Sequence, residues 1–284
     1  MSDDEIDLDP MELTEQGEAA LEAGEKEIAA KIFNTAGNVY MSLAEFEDAL
    51  ECFERSVELF KELDDETGIS DTLYNLGVAQ INLEQWDEAI TTCEKAMEQF
   101  DSVKNEEGSA DALYALGLAH HGKGDVETAM DYFKQAQRAY KKLGNEQGVA
   151  SIIMDMGNVE AEQEDWTSAT KTFKKALKIY QEIDDKAGTA DALSLLGDIA
   201  EIQGKQKKAA EYFTEASQSY LEAEIYDIAR EVFERAEQKL WDIPKSTRRR
   251  LRKVLDDIYD KLPEEEEEDE EDDEDFDEDL LEFQ

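Results

Sequence analysis

Residues 69–83, ISDTLYNLGVAQINL, and 86–103, WDEAITTCEKAMEQFDSV, decide the fold. In the first, Ile69, Leu73, Leu76 and Val78 or Ala79 fall on one face of a helix turning 3.6 residues at a time. In the second, Trp86, Ala89, Ile90, Cys93, Ala96, Met97, Phe100 and Val103 fall on another, broader face. Only the polar pair Glu84-Gln85 separates them, so the two segments are predicted to fold back as an antiparallel helix pair.

Outward from that pair the same unit recurs every 40 residues. Glycine stands at 37, 77, 117, 157 and 197, and a second glycine series at 68, 108, 148 and 188. Alanine keeps step at 49, 89, 129, 169 and 209, and again at 96, 136, 176 and 216, with Ser56 in the first unit. Rings follow at Phe53, Phe133, Phe173 and Phe213, with Cys93 as the exception, and at Phe60, Phe100, Tyr140, Tyr180 and Tyr220. So many positions in phase over five units make this an internal repeat. Asp65, Asn105, Asn145 and Asp185 precede the second glycine series by three residues, where an N-cap would satisfy free backbone N–H groups. Gly77 and Ala89 are expected to let two helix axes approach closely, with Leu76, Phe53 and Phe133 filling the space between layers.

Leu76-Gly77, Ala89 and Ala96, then Leu116-Gly117, Ala129, Phe133 and Ala136, then Leu196-Gly197, Ala209, Phe213 and Ala216 resemble the tetratricopeptide repeat (TPR). The usual unit is about 34 residues; this longer one is similar to the subclass of spindle-orientation adaptors and kinesin light chains. The proline that often closes the second helix is absent. The tyrosine common three residues after the first-series glycine survives only as Tyr40, replaced later by Gln80, His120, Glu160 and Ala200. The resemblance covers residues 29–228 and implies an all-α fold, a right-handed α-solenoid of antiparallel helix pairs.

At the flanks, Asp9-Pro10 and Glu12 read as an N-cap, a first-turn proline and a capping-box acid, opening a helix over 10–23 that turns at Gly24. Ala29, Phe33, Ala36 and Ala229, Phe233, Ala236 repeat the second-helix signature. Helices over 225–241 and 246–262, parted by Pro244 and stopped by Pro263, would finish a solenoid running from 10 to 262.

Charge is the other strong signal. Of 284 residues, 74 are Asp or Glu and 29 Lys or Arg, a net charge of −45. Residues 264–284 hold 16 acids and no base and residues 1–9 hold 5 acids, so removing these 21 charges leaves −24 for residues 10–263. Both ends (1–9 and 263–284) are expected to be disordered, because like charges repel and too little apolar surface offsets chain entropy. Direct nucleic-acid binding is disfavoured by this charge. No run of about 18 apolar residues and no signal sequence is present, which fits a cytoplasmic protein without membrane contact. Two cysteines, Cys52 and Cys93, support neither a disulfide framework nor a thiolate metal site. His120 and His121 are neighbours on one helix, about 100° apart, and cannot share a metal. No phosphate loop, dinucleotide fingerprint or nucleophile elbow occurs. No enzyme activity, cofactor or metal is expected.

The TPR resemblance implies a partner segment in the groove lined by the first helices. Carried across, the groove positions are Lys31, Asn34 and Asn38; Asp71, Tyr74, Asn75 and Val78; and Asp111, Tyr114, Leu118 and His121. They continue with Ser151, Met154, Asp155 and Asn158, then Asp191, Ser194 and Asp198. The basic clamp that some relatives close on a carboxylate is missing, since only Lys31 is basic. The acids beside Tyr74, Tyr114, Leu118 and Met154 suit a basic or amphipathic peptide. The expected function is a non-enzymatic interaction scaffold. The alternative is an acidic chaperone or nucleic-acid mimic shielding a basic, histone-like protein through the acidic tail. Lys245, Arg248, Arg249, Arg250, Arg252 and Lys253 form a basic cluster beside the stripe Leu251, Val254, Leu255, Ile258. It reads as a capping helix that the acidic tail contacts.

Overall fold

The computed structural model describes residues 9–263. The expectation of disordered acidic ends therefore falls, but for Asp9 and Pro263, outside the described residues. Among those described there are thirteen α-helices and no strand. The helices are α1 (Pro10–Glu22), α2 (Lys26–Ser42), α3 (Phe46–Glu62), α4 (Glu66–Asn82), α5 (Trp86–Ser102), α6 (Glu106–Lys123) and α7 (Val126–Leu143). Then come α8 (Glu146–Glu162), α9 (Trp166–Glu182), α10 (Lys186–Ile202), α11 (Gln206–Glu222), α12 (Tyr226–Lys239) and α13 (Lys245–Tyr259). Each helix packs on its sequence neighbours, α13 folds back on α11, and the result is a helical solenoid.

The two glycine series have distinct jobs. A Cβ on Gly37, Gly117, Gly157 or Gly197 would lie 2.4–2.6 Å from the ring of Phe53, Phe133, Phe173 or Phe213 on the following helix. At Gly77 the counterpart is Cys93 Sγ, 2.5 Å away. The glycine thus makes room for a ring at four of the five positions and for the Cys93 sulfur at Gly77. Gly68, Gly108 and Gly188 clear Phe60, Phe100 and Tyr180 in the same way, but here the ring belongs to the preceding pair. One series locks helices within a hairpin; the other locks hairpin to hairpin. At the N-terminal end α2 plays both parts, giving Phe33 to Gly17 of α1 and Gly37 to Phe53 of α3.

The turns follow a finer rule, which glycine alone does not reveal. Residues 24, 44, 64 and so on to 224, every twentieth, have positive φ, and only four of these eleven are glycine. At each, the amide one residue further on donates back to the carbonyl five residues earlier over 2.8–3.1 Å, from Glu25 to Ala20 through Ile225 to Tyr220. This is the bond that ends a helix in a Schellman turn and satisfies an orphan carbonyl. Asp65, Asn105, Asn145 and Asp185 then start the next helix by accepting from Gly68, Gly108, Gly148 and Gly188 at 2.8–3.0 Å.

The flanks differ in detail. Asp9 caps Met11 at 2.9 Å, while Glu12 accepts from Gln16 instead of closing a capping box. The helix expected over 225–241 ends at Lys239 and tightens into a 3-10 turn, Leu240–Asp242, before Pro244. The last helix runs Lys245–Tyr259, so it unwinds before Pro263 is reached. Its Leu251, Leu255 and Ile258 are buried with Phe213, Phe233 and Leu240.

Two substitutions test the rules. Gly157→Ala gains helix propensity of about 1 kcal/mol but drives a methyl into Phe173, so a net loss of about 1–2 kcal/mol is expected in thermal melts. Ala44→Gly, at φ 59°, should instead stabilise by about 0.5–1 kcal/mol, because the left-handed backbone costs an L-residue more than the added freedom costs the unfolded chain.

Candidate functional site

The even-numbered helices α2 to α10 carry the expected groove residues on one face, and the second-helix rings decide how those residues are occupied. The tyrosines among the closing rings reach, at their tips, the groove residue 29 positions earlier in the chain. Tyr140 donates its phenol to Asp111, Tyr220 donates to Asp191 at 2.6 Å, and Tyr180 lies 3.4 Å from Ser151. In the second unit the ring is Phe100, with no hydroxyl to offer Asp71. Among the described residues Asp71 has no hydrogen-bond or ion-pair partner.

The remaining acids are engaged. Tyr114 donates to Asp155 at 2.6 Å. Asp198 is paired with Arg235, which also meets Glu201 at 3.3 Å, and Lys239 pairs with Glu201. Both bases come from α12. Lys31 is held by Glu27 at 2.6 Å, and His121 by Glu162 at 2.6 Å. His120 turns away and stacks on Tyr132, with ring centroids 5.3 Å apart, so the two histidines diverge. Asn75 donates to Asn34 at 3.2 Å, joining α4 to α2, while Asn38 is exposed. Val78, Leu118 and Asn158 are half-buried, and Met154 is buried.

What the arrangement leaves open is a cleft of about 290 Å³ between α4 and α6, lined by Asp71, Tyr74, Asn75, Phe100, Glu107 and Asp111. Tyr74 meets Phe100 edge-on at 6.4 Å. Partial desolvation raises the Asp71 carboxyl above its ordinary pKa, with Asp65 adding to the effect. Burial raises Asp111 also, while the Tyr140 phenol and nearby charge pull in opposite directions. The Tyr74 phenol is pushed up to about 12 by burial, so it stays a donor at neutral pH. The cleft offers carboxylates in want of positive charge, beside an aromatic floor.

Sequence reasoning missed Arg235, Lys239 and the role of the closing rings. The 29-residue offset between ring and groove series was the available signal. The cysteines are both buried, and burial pushes the Cys93 thiol up to about 12. Among the described residues no three His, Cys, Asp or Glu side chains gather as a metal site, and no helix is long and apolar enough to cross a membrane.

Phe100→Tyr should hand Asp71 the phenol that Asp111 already has. Hydrogen bonding favours the charged carboxylate, so the Asp71 pKa should fall back toward 3.8 in a carbon-13 carboxyl titration. Tyr140→Phe should move Asp111 the other way.

Comparison with known proteins agrees with this architecture. Family models described as tetratricopeptide repeat match residues 68–142, 148–222 and 30–62. The crystal structure of BtubC from P. vanneervenii is similar, with TM-score 0.61 and 18% identity over 75% of this chain and 91% of that one. A signal transduction ATPase with numerous domains and a tetratricopeptide repeat sensor, from Pyrococcus horikoshii, gives TM-score 0.63 and 16% identity over 88% of this chain and 42% of that one. The Rap conjugation gene regulator of plasmid pLS20, in complex with the Phr* peptide, gives TM-score 0.55 and 15% identity over 92% and 79%. No curated protein matches the chain. With the family models covering more than half of its length and the paired helices in register along it, the chain belongs to the tetratricopeptide repeat family.

Proposed function

We propose that this protein is a non-enzymatic interaction scaffold that holds a basic or amphipathic peptide segment along the first-helix face, anchored between α4 and α6. The observation that carries the reading is the Asp71 carboxylate, without an internal partner, in a cleft floored by Tyr74 and Phe100. A lysine or arginine entering there gains a charge-assisted hydrogen bond to Asp71, and its methylenes lie on the tyrosine ring. Asn75 and Asn34, already bonded to each other, stand beside it to meet a peptide backbone. The other groove acids are held by tyrosines and by Arg235, so selectivity concentrates at one cleft. The Rap regulator's complex with a peptide is in keeping with this use of the fold. The reading places the protein in the cytoplasm.

A panel of fluorescent amphipathic peptides bearing lysine or arginine at every third or fourth position tests it. Asp71→Asn should weaken the best binder by about tenfold or more, the worth of one charge-assisted bond. Asp184→Asn, in an exposed turn, should change nothing. The pH dependence has a defined sign. A cationic ligand favours ionised Asp71, so binding releases a proton, and affinity should decline as pH falls through that carboxyl's raised pKa. Equal binding by wild type and by Asp71→Asn combined with Tyr74→Ala would reject the cleft. Loss of binding only on removal of residues 264–284 would favour the acidic-chaperone reading.

A further inference from the structure

Half of the cluster expected to meet the acidic tail is committed within the fold: Arg250 pairs with Glu211 at 2.6 Å, Arg252 with Glu237, and Arg248 donates to the carbonyls of Trp241 and Ile243. A second basic surface lies farther along the solenoid. On α7 and α9 the bases Arg138, Lys141 and Lys175 have no acidic partner within 4 Å among the described residues, in a chain of net charge −45. With Lys178 they rim a cleft of about 450 Å³ between α7, α8 and α9. Its floor is apolar: Val149, Ile153 and Ile179. The cleft opens on the far side of α8 from Ser151 and Asp155, since positions two apart on a helix lie about 200° apart. It also sits where α7 and α8 form the least closely packed of the consecutive pairs from α1 to α12.

The repeat supplies its own control. This cleft has four bases against two acids, Glu146 and Glu182. The positions forty residues earlier hold Glu98, Asp101 and Glu106 against Arg138 and Lys142. Forty residues later they hold Lys178 and Lys186 against Glu215 and Glu222. Neither has a basic excess.

We propose that residues 276–283 of the same chain, FDEDLLEF, dock in this cleft, with Phe276, Leu280, Leu281 and Phe283 on the apolar floor and the intervening acids against Arg138, Lys141 and Lys175. Charge complementarity selects the occupant: in the sequence, FDEDLLEF joins four acids to four large apolar side chains with no base among them. Reach permits it. From α13 to α8 is four helix-to-helix steps through α11, α10 and α9, about 40 Å at the usual 8–10 Å spacing. The offset along a 17-residue helix adds at most about 25 Å. The twelve residues 264–275 ahead of the docked segment extend to about 40 Å, enough for the three steps of about 30 Å to Lys175 and Lys178 on α9 with the axial offset taken at right angles. Docked there, the tail leaves the groove open and masks a free basic surface of an acidic molecule. The inference is independent of the groove reading.

Zero-length carboxyl-to-amine cross-linking of the full chain, followed by peptide mapping, tests it. Asp277, Glu278, Asp279 or Glu282 should join Lys141, Lys175 or Lys178 within one chain. Yield should fall on the order of tenfold from low salt to about 1 M, where the screening length is about 3 Å. Arg138→Glu with Lys175→Glu, both exposed at the rim of the cleft, should abolish cross-links at Lys141 and Lys178 without changing the melting profile. Leu280→Ser with Leu281→Ser keeps every charge and should lower yield about fivefold or more through the lost apolar contact. Cross-links centred on Lys245 and Lys253, links scattered over all exposed lysines, links between two chains, or insensitivity to either double variant would each overturn the proposal.

Discussion

An aromatic ring seated on a bare α-carbon is the contact on which the rest of this structure depends. Phe133 on Gly117 joins two helices of one hairpin; Phe100 on Gly108 joins one hairpin to the next. A solenoid has no global core, so its stability is a sum of unit and interface terms, and each interface must be good by itself. The ring supplies the buried area, and the glycine lets it lie flat against the neighbouring backbone. Glycine in a helix interior costs about 1 kcal/mol, whereas losing a buried phenylalanine costs about 3–5 kcal/mol. The second magnitude wins, which is why the glycines persist in phase.

The same rings write the chemistry of the groove. Between phenylalanine and tyrosine the packing surface is shared, and the difference is one hydroxyl at the ring's tip. At Tyr140 and Tyr220 that hydroxyl is given to Asp111 and Asp191. At Phe100 it is missing, and Asp71 is left facing solvent. A substitution invisible to the core thus decides whether a carboxylate is an internal acceptor or an external one.

This explains what was legible in the sequence. Helix pairing, the forty-residue period and the N-caps at Asp65, Asn105, Asn145 and Asp185 depend on residues close together in the chain, where spacing alone carries the information. The turns were half legible. Gly24, Gly124, Gly144 and Gly204 mark left-handed positions, but Ala44, Glu84 and Lys104 adopt the same backbone under the pull of the Schellman bond, with no residue type to announce it. The groove positions could be placed on helices, yet their occupancy could not. Whether Asp198 is free depends on Arg235, 37 residues on and in a helix outside the regular repeats.

Charge follows the period as well, which gives the acidity a structural reading. Lys26–Glu62, Asp87–Lys123, Glu106–Lys142 and Lys186–Glu222 are all 36 residues apart, and the sign of the pair reverses between 26/62 and 106/142. Geometry fixes where two side chains meet; either order of charge satisfies it. Each exposed pair contributes at most about 1 kcal/mol, so these contacts do not hold the array together. They absorb bases instead, and about half of the lysines and arginines of the described residues are spent in ion pairs or on backbone carbonyls. At 146/182 the register pairs Glu146 with Glu182, which cannot neutralise each other. Lys178 meets Glu182 at 3.4 Å, and Arg138, Lys141 and Lys175 remain around the two acids without one of their own among the described residues. The local excess of positive charge at α7 to α9 comes from these bases, which the positions forty residues to either side do not match. In a molecule this acidic, such an excess is where a segment rich in carboxylates has most to gain.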